Sequence, residues 1–412
     1  MTVVRVPRGV AALGVFAAWV IVASMIGVSS AYAQKKYDPG ASDTEIKIGN
    51  IMPYSGPASA YGTIGKAEAA YFRMINDQGG VNGRKINFIT YDDGYAPPKA
   101  VEMTRKLVEQ DEVLAMFNPL GTPSNTAIRR YLNSKKVPQL FVATGATVWN
   151  DPKEYPWTMG WQPNYQAEGR IYAAHILKTK PDAKIGILFQ NDDSGRDYVK
   201  GFEDGLGEAG RKQIVSKLSY EISDPTVDSQ IVALKASGAD VFFNESTPKF
   251  AAMGIRKAYD IGWKPVQYLV NVSASVGSVL VPAGLEKSVG IISTQYLKDP
   301  TDKGWENDPA MLKWKAFMAK YFPDGDLKDA GNVYGYGVAQ TLVQVLKQCG
   351  ENLTRENVMK QAANLKNFEL DVLLPGIKIN TGPGDFAPIE SESLIRFDGS
   401  QWVRFGEILG ND

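Results

Sequence analysis

The chain has 412 residues, with 45 basic and 45 acidic side chains, a single histidine and a single cysteine. A balanced charge without a long basic or acidic block excludes a nucleic-acid partner held through an electrostatic face, and one cysteine excludes an intramolecular disulfide. One histidine leaves nucleophilic triads and most zinc sites without the imidazole they need.

Residues 1–33 carry Arg5 and Arg8, then an uncharged apolar run over 9–28, then Ala31, Tyr32 and Ala33 ahead of Gln34. This is the pattern of an export leader cleaved after a small-residue site. The alternative is a retained membrane anchor, since about twenty uncharged residues span a bilayer. The Ala-x-Ala site and the polar segment directly after it favour cleavage. Removing 33 of 412 residues leaves 379, too many for one comfortable core, so two lobes are expected in an exported, periplasmic protein of charge −2.

The next segment reads as a strand over 46–52, broken at Pro53 into a small polar loop, and then a helix-period stretch over 58–76. Gly79, Gly80 and Gly83 precede an alternating strand over 85–91. The whole is a βαβ unit with its polar loop at the carboxyl end of the first strand, where ligands bind in open α/β sheets. Helices over 100–110 and 124–134 then alternate with strands over 113–117 and 137–142, which implies a parallel sheet. Pro152, Pro156 and Pro163, with Trp157 and Trp161 among them, interrupt this pattern and mark a crossover between lobes.

Alternation resumes with helices over 166–178, 197–208, 228–237 and 250–261 and strands over 184–189, 214–220, 239–244 and 266–270. The stretch from Lys184 to Gly210 loosely echoes that from Lys47 to Met74, supporting two similar α/β lobes. The C-terminal part mixes helices over 309–321, 332–349 and 355–365 with short strands over 377–379, 393–397 and 402–405, the last two a hairpin around Asp398 and Gly399.

Catalytic chemistry is not legible. His175 sits mid-helix and Cys349 near a helix end, both as structural residues. The run from Gly62 to Lys66 resembles a phosphate loop, but Ala60 and Ala67 stand where glycine and a metal-binding hydroxyl are required. Gly335 and Gly337 fall inside a helix rather than after a strand. The pairs Asp92-Asp93 and Asp192-Asp193 read as solvated or helix-capping acids in preference to a metal clip. No enzyme, cofactor or metal site is therefore expected.

Pro53-Tyr54-Ser55-Gly56-Pro57 with Tyr61-Gly62, then INDQGGVNGRKI and YDD, and later VPQLF before the Ala143 to Ala146 loop, resemble the branched-chain amino-acid-binding (Leu/Ile/Val-binding) family of type I periplasmic solute-binding proteins, which serve ABC importers. The resemblance covers nearly all of the chain beyond the leader. It implies an α/β fold of two Rossmann-like lobes with parallel sheets, joined by three crossovers and closing on a small solute. Lobe one would be 44–159 plus 294–387, and lobe two 160–293 plus 388–412. A monomer that docks on an inner-membrane ABC permease is implied, with a ligand-sensing periplasmic receptor subunit as the alternative.

By the same resemblance, a solute carboxylate would be held by hydroxyls and N–H groups of lobe-one loops at Gly121, Thr122, Thr144, Gly145 and Ala146, with Tyr61 lining the pocket. Lobe two would contribute Tyr165, Ser194, Thr247 and Asn271, where Ser194 and Thr247 replace the family's tyrosines. The family's ammonium-binding acid is missing, because 261–285 contains no Asp or Glu. An unpaired buried ammonium is costly, so an aromatic or aliphatic acid without an amine is the expected ligand unless Asp193 or Glu245 supplies the charge. Trp149, Trp157, Trp161 and Tyr165 either stack on such a ligand or pack between the lobes.

Overall fold

The computed structural model describes residues 35–410, so the leader expected at 1–33 lies outside the described residues. The described chain opens with β1 (Lys36–Tyr37), β2 (Glu45–Met52), α1 (Gly62–Asp77), β3 (Lys85–Asp92), α2 (Pro97–Glu109), β4 (Ala115–Phe117), α3 (Thr122–Lys135), β5 (Gln139–Val142) and β6 (Thr158–Gly160). Strands β2 to β6 form a wholly parallel sheet in the order β3-β2-β4-β5-β6. Helices cover both faces of such a sheet, which is why β4 and β5 are buried throughout and, apart from Gln139, apolar rather than alternating.

The chain then leaves this sheet for α4 (Tyr165–Thr179), β7 (Ile185–Gln190), α5 (Asp193–Arg211), β8 (Ile214–Tyr220), α6 (Asp228–Ala236), β9 (Val241–Glu245), α7 (Pro248–Asp260), β10 (Val266–Leu269), the short α8 (Val281–Ala283) and β11 (Ile292–Gln295). It returns through α9 (Pro309–Tyr321), α10 (Ala330–Cys349), β12 (Asn352–Leu353) and α11 (Arg355–Ala362) to the first lobe. It crosses a last time into the hairpin β13 (Ser391–Phe397) and β14 (Trp402–Gly410). The second sheet has the order β14-β13-β11-β10-β9-β7-β8, parallel from β8 to β11 and antiparallel at β13 and β14. The result is two α/β lobes with parallel sheets, as the sequence led us to expect.

Local signals set the boundaries. Asn164, Asp192, Asp308 and Asp329 cap α4, α5, α9 and α10 by accepting backbone N–H groups of the first turn. Proline opens α2, α7 and α9, where its missing N–H is harmless. The strand expected at 377–379 is not formed: Ile379 makes only an isolated bridge to Phe368, because Pro375 and Gly376, at φ 96°, turn the chain just ahead of it. Strands β6 and β11, absent from the sequence reading, are the ones that lead into crossovers.

Each lobe has its own core. Phe72, Phe117 and Phe88 meet edge-on between the first sheet and α1, and Tyr71, Tyr336 and Phe317 continue the cluster toward α9 and α10. In the second lobe Phe243 stacks on Phe202 at 4.5 Å beneath α4 and α5. Fully burying one such ring contributes roughly 1.5–3 kcal/mol, so each lobe holds its sheet rigid behind the loops that face the other.

Candidate functional site

In each sheet the strand order reverses, between β2 and β4 in the first and between β7 and β9 in the second. Ligands bind outside the carboxyl ends of strands at such a switch point. The two switch points face each other across one cavity of about 130 Å³, lined from both lobes. Elsewhere, an apolar cavity of about 150 Å³ takes up benzene, so this one suits a solute of similar bulk.

On the lobe-one side the loop after β4 carries Gly121 and Thr122, with Thr122 opening α3. Gly121 stands at φ 96°, and a Cβ there would meet the Tyr95 ring at 2.5 Å, so only glycine brings the backbone this close. The Thr122 hydroxyl lies 2.6 Å from that of Thr144, and the helix start turns free N–H groups and positive dipole toward the cavity. Tyr95 lines the cavity in a left-handed conformation, φ 61°. Asp93 fixes that turn by accepting the Tyr95 N–H at 2.9 Å and the Ser124 hydroxyl at 2.7 Å. Such a backbone costs about 1 kcal/mol or more and persists because these bonds over-determine it.

The opposite wall is lobe two. Ser194 donates to Asp192, Thr247 meets the Tyr220 hydroxyl at 3.2 Å, and Asn271 donates its side chain to the Thr294 carbonyl at 2.5 Å. Glu245, at the end of β9, lines the cavity while only 3 % exposed. One of its oxygens accepts the Gln190 N–H at 2.7 Å, and among the described residues it makes no ion pair. Burial, reinforced by Asp192, pushes its carboxyl well above the usual range. Lys298 also lines the cavity but is committed to Asp308 at 2.9 Å.

The lobes touch around this cavity. Thr147 grips Asp197 of α5 through both its N–H and its hydroxyl, and the Ser275 hydroxyl donates to Asp329 at 2.9 Å. Tyr61 sits over the gap with its hydroxyl against Ser273.

Of the residues expected at the site, Tyr61, Gly121, Thr122, Tyr165, Ser194, Thr247 and Asn271 line the cavity. Thr144, Gly145 and Ala146 stand one layer back: Thr144 supports Thr122 and accepts from the Trp149 ring N–H at 3.3 Å, and Ala146 donates its N–H to the Thr144 hydroxyl. Gly145 packs so tightly that a Cβ would collide with the Pro163 carbonyl and reach 2.7 Å from the Tyr165 ring. Trp161 is buried against Tyr296 and Tyr334 and donates to Thr341, so it packs the crossover and does not line the cavity. Tyr165 lines the cavity, its ring stacked on Tyr198 at 4.1 Å. Asp193 faces outward in an exposed pair with Arg196, so of the two acids expected there Glu245 is the one at the cavity, where Asp299 and Asp329 of the other wall also line it.

Sequence reasoning missed Tyr95, Tyr198, Thr294 and Gln295 as lining residues. A position just beyond the strand read over 85–91 was the available signal for Tyr95; Thr294 and Gln295 lie within β11, which the sequence reading did not find, and gave none. Tyr198, on a helical apolar stripe, gave none. His175 lies far along α4, bonded to the Tyr268 hydroxyl at 2.7 Å, and the Cys349 thiol is pushed by burial up to about 12. Neither reaches the cavity.

A family model described as periplasmic binding protein matches residues 45–393. The chain is 24% identical over 334 residues to a Leu/Ile/Val-binding protein homolog 1 of Brucella abortus, covering 79% of this chain and 85% of that protein. It shares its fold with a branched-chain amino-acid ABC transporter protein of Thermus thermophilus solved with bound valine, at TM-score 0.81 and 15% identity over 90% of this chain and 97% of that one. It also shares it with a fatty acid ABC transporter substrate-binding protein of Thermomonospora curvata, at TM-score 0.78 and 23% identity over 91% and 95%.

Proposed function

This chain belongs to the periplasmic binding protein family, a family of solute-binding proteins and not of enzymes, and we propose that it captures a small carboxylate-bearing solute for an inner-membrane ABC permease. Cleavage of the 1–33 leader would free it in the periplasm, and lobes of 44–159 plus 294–387 and 160–293 plus 388–412 would close on the solute as a monomer. The observation that carries this reading is the shared cavity, with the Thr122 hydroxyl, backed by that of Thr144, and the start of α3 on one wall and Glu245 on the other. Solute that touches both walls only when the lobes are together draws the population closed by its differential affinity.

Glu245 supplies the acid that 261–285 lacks, from a different strand end. It supports a small apolar α-amino acid, with the solute carboxylate on Thr122 and its ammonium against an ionised Glu245. The second reading is an aromatic or aliphatic acid without an amine, favoured by the neutral state that burial imposes on Glu245 in the empty site. Such an acid would meet Glu245 as a hydrogen-bond donor.

Calorimetric titration and thermal shift with leucine, valine, benzoate, phenylacetate and butyrate test both. A binder raises apparent stability with its occupancy, and micromolar affinity corresponds to about 8 kcal/mol, ample to drive closure. Absence of binding by every carboxylate in the panel, together with binding of an uncharged sugar or alcohol, would overturn the proposal.

A further inference from the structure

Behind the lobe-two wall lie two more buried carboxyl groups, Glu168 on α4 and Glu392 on β13, at 2 % and 1 % exposure. Hydroxyls and one backbone N–H meet them, not cations. Glu168 accepts the Tyr172 hydroxyl at 2.7 Å and the Asn271 N–H at 2.7 Å on one oxygen, and the Tyr198 hydroxyl at 2.8 Å on the other. Glu392 accepts only the Thr294 hydroxyl, at 3.0 Å, and its second oxygen has no hydrogen-bond partner among the described residues.

These positions are not scattered. Glu168 lies in the first turn of α4, just after the chain first crosses between sheets. Thr294 lies near the end of β11, just before it returns, and Glu392 at the start of β13, after the last crossing. Asn271, Tyr198 and Thr294 all line the solute cavity. The pair therefore braces three crossovers from inside and holds the cavity floor from below.

Two adjacent carboxylates cannot both ionise at depth without a cation, because desolvation and mutual repulsion act in the same direction. Glu168, with three donors, is the better-stabilised anion. Glu392, with an oxygen left over, is the group that keeps a proton. We propose that Glu168 and Glu392 hold one proton between them and that this shared proton positions Asn271 and Thr294, making the cavity floor, and with it solute affinity, sensitive to pH. The part concerning affinity rests on the solute-binding reading above; the shared proton does not.

The sign follows from the directions. Burial raises both carboxyl groups, the hydrogen bonds to Glu168 hold it back, and the charge of Glu168 raises Glu392 further. The pair titrates as a unit. The stabilisation from the singly protonated state is lost as pH rises through its upper step, where two like charges appear beneath Asn271 and Thr294. The other titratable groups that face the pair are Tyr165 and Tyr172 on α4, Tyr198 on α5, Glu245 on β9 and Tyr296 after β11. Arg170 and Glu390 are the nearest formal charges along the chain, each with an interaction of its own.

The test compares the full-length mature protein with Glu392→Gln and Glu168→Gln. Carbon-13 NMR of glutamate-labelled, solute-free protein at about pH 7 should show, beside any protonated signals of Glu68 and Glu245, a further protonated side-chain carboxyl signal that vanishes in Glu392→Gln. The fall in melting temperature between about pH 6 and pH 9 should be measurably smaller in that variant, which keeps one carboxylate and no pair. With leucine or phenylacetate as probe, in a Glu245→Gln background that removes the titration of that acid, affinity should drop about tenfold or more over the same range and stay within about twofold once Glu392→Gln is added. Glu168→Gln, which leaves the Tyr198 hydroxyl facing an amide N–H, should weaken binding at every pH. If it does not fold, Glu392→Gln alone carries the test. Ordinary glutamate titration of both groups, or an unchanged melting profile in Glu392→Gln, would overturn the shared proton. Failure of both probes to bind, with NMR and melting behaving as described, would count against the solute reading and leave the pair standing.

Discussion

Thr147 and Asp197 form a two-point clasp across the interlobe gap. The backbone N–H and hydroxyl of Thr147 each meet one oxygen of the Asp197 carboxylate at 2.7 Å, and Gln166 adds a third donor at 2.6 Å. Hydrogen bonds to a charged group are worth about 1.5–3 kcal/mol each when enclosed and less where water reaches, as it partly does here. Asp197→Ala should therefore shift the solute-free protein toward an open form and weaken any solute by about tenfold. Small-angle scattering reads the first effect as a larger radius of gyration. An unchanged radius and affinity would mean that the clasp is ornamental.

Glu245 makes pH a test of ligand class. Its carboxyl is raised in the empty site, so an ammonium solute must displace its proton, and affinity for leucine or valine should strengthen as pH rises toward the raised value. An amine-free acid needs the neutral form and should weaken over the same range. Glu245→Gln should cost the amino acid about 10- to 100-fold and leave the acid nearly untouched. Equal losses for both classes would remove Glu245 from contact with the solute.

The Thr122 hydroxyl lies 2.6 Å from Thr144 and at the start of α3, where an anion is favoured. Thr122→Val keeps the shape and removes the donor. Carboxylate binding should fall about tenfold with the melting temperature of the solute-free protein changed by only a few degrees. A large loss of stability with normal affinity would assign the threonine to packing.

Glu68 sits inside α1 with no exposed surface, and neither carboxylate oxygen has a partner among the described residues. Burial alone pushes its carboxyl well above the usual carboxylate range. A group raised on folding contributes stability that is complete below its unfolded value and is lost as pH rises through the folded one. Glu68→Gln should thus be less sensitive to pH, gaining on the wild type steadily above about pH 4.5. Glu68→Met should stabilise by about 1–3 kcal/mol near neutrality. Parallel melting profiles of Glu68→Gln and wild type from pH 4 to 8 would show that the carboxyl is solvated after all.

Much of the fold was readable because its determinants are local. The alternation of 46–52 and 85–91, the cap at Asp192 and the hairpin turn at Asp398 and Gly399 need no partner to be recognised. What escaped lay at the crossings. β11 reads Ile-Ser-Thr-Gln, with Ser293, Thr294 and Gln295 all buried, and a polar run of three residues after one isoleucine carries no strand period. The segment 276–283 was missed because Gly277 and Pro282 argue against the helical turns it forms. The predicted strand at 377–379 had the right composition and found no neighbour to pair along its length.

The site divides in the same way. Gly121 and Thr122 were located through the family resemblance, and their place after a buried strand, at the binding end of a sheet, agrees with it. Which layer each occupies was not legible: Thr144 and Gly145 have the same composition, and packing under Tyr165 and Trp149 sets them back. Glu245 read simply as the residue after a strand, and Glu392 as part of a hairpin. Sequence determines the period of each element and the residue types at its ends, because these act through bonds between near neighbours. Which carboxyl faces a solute, which faces another carboxyl 224 positions away along the chain, as Glu392 does Glu168, and which is left dry inside a helix are decided by how the two sheets are brought together. Burial and the loss of water there change the charge that each of these side chains can carry.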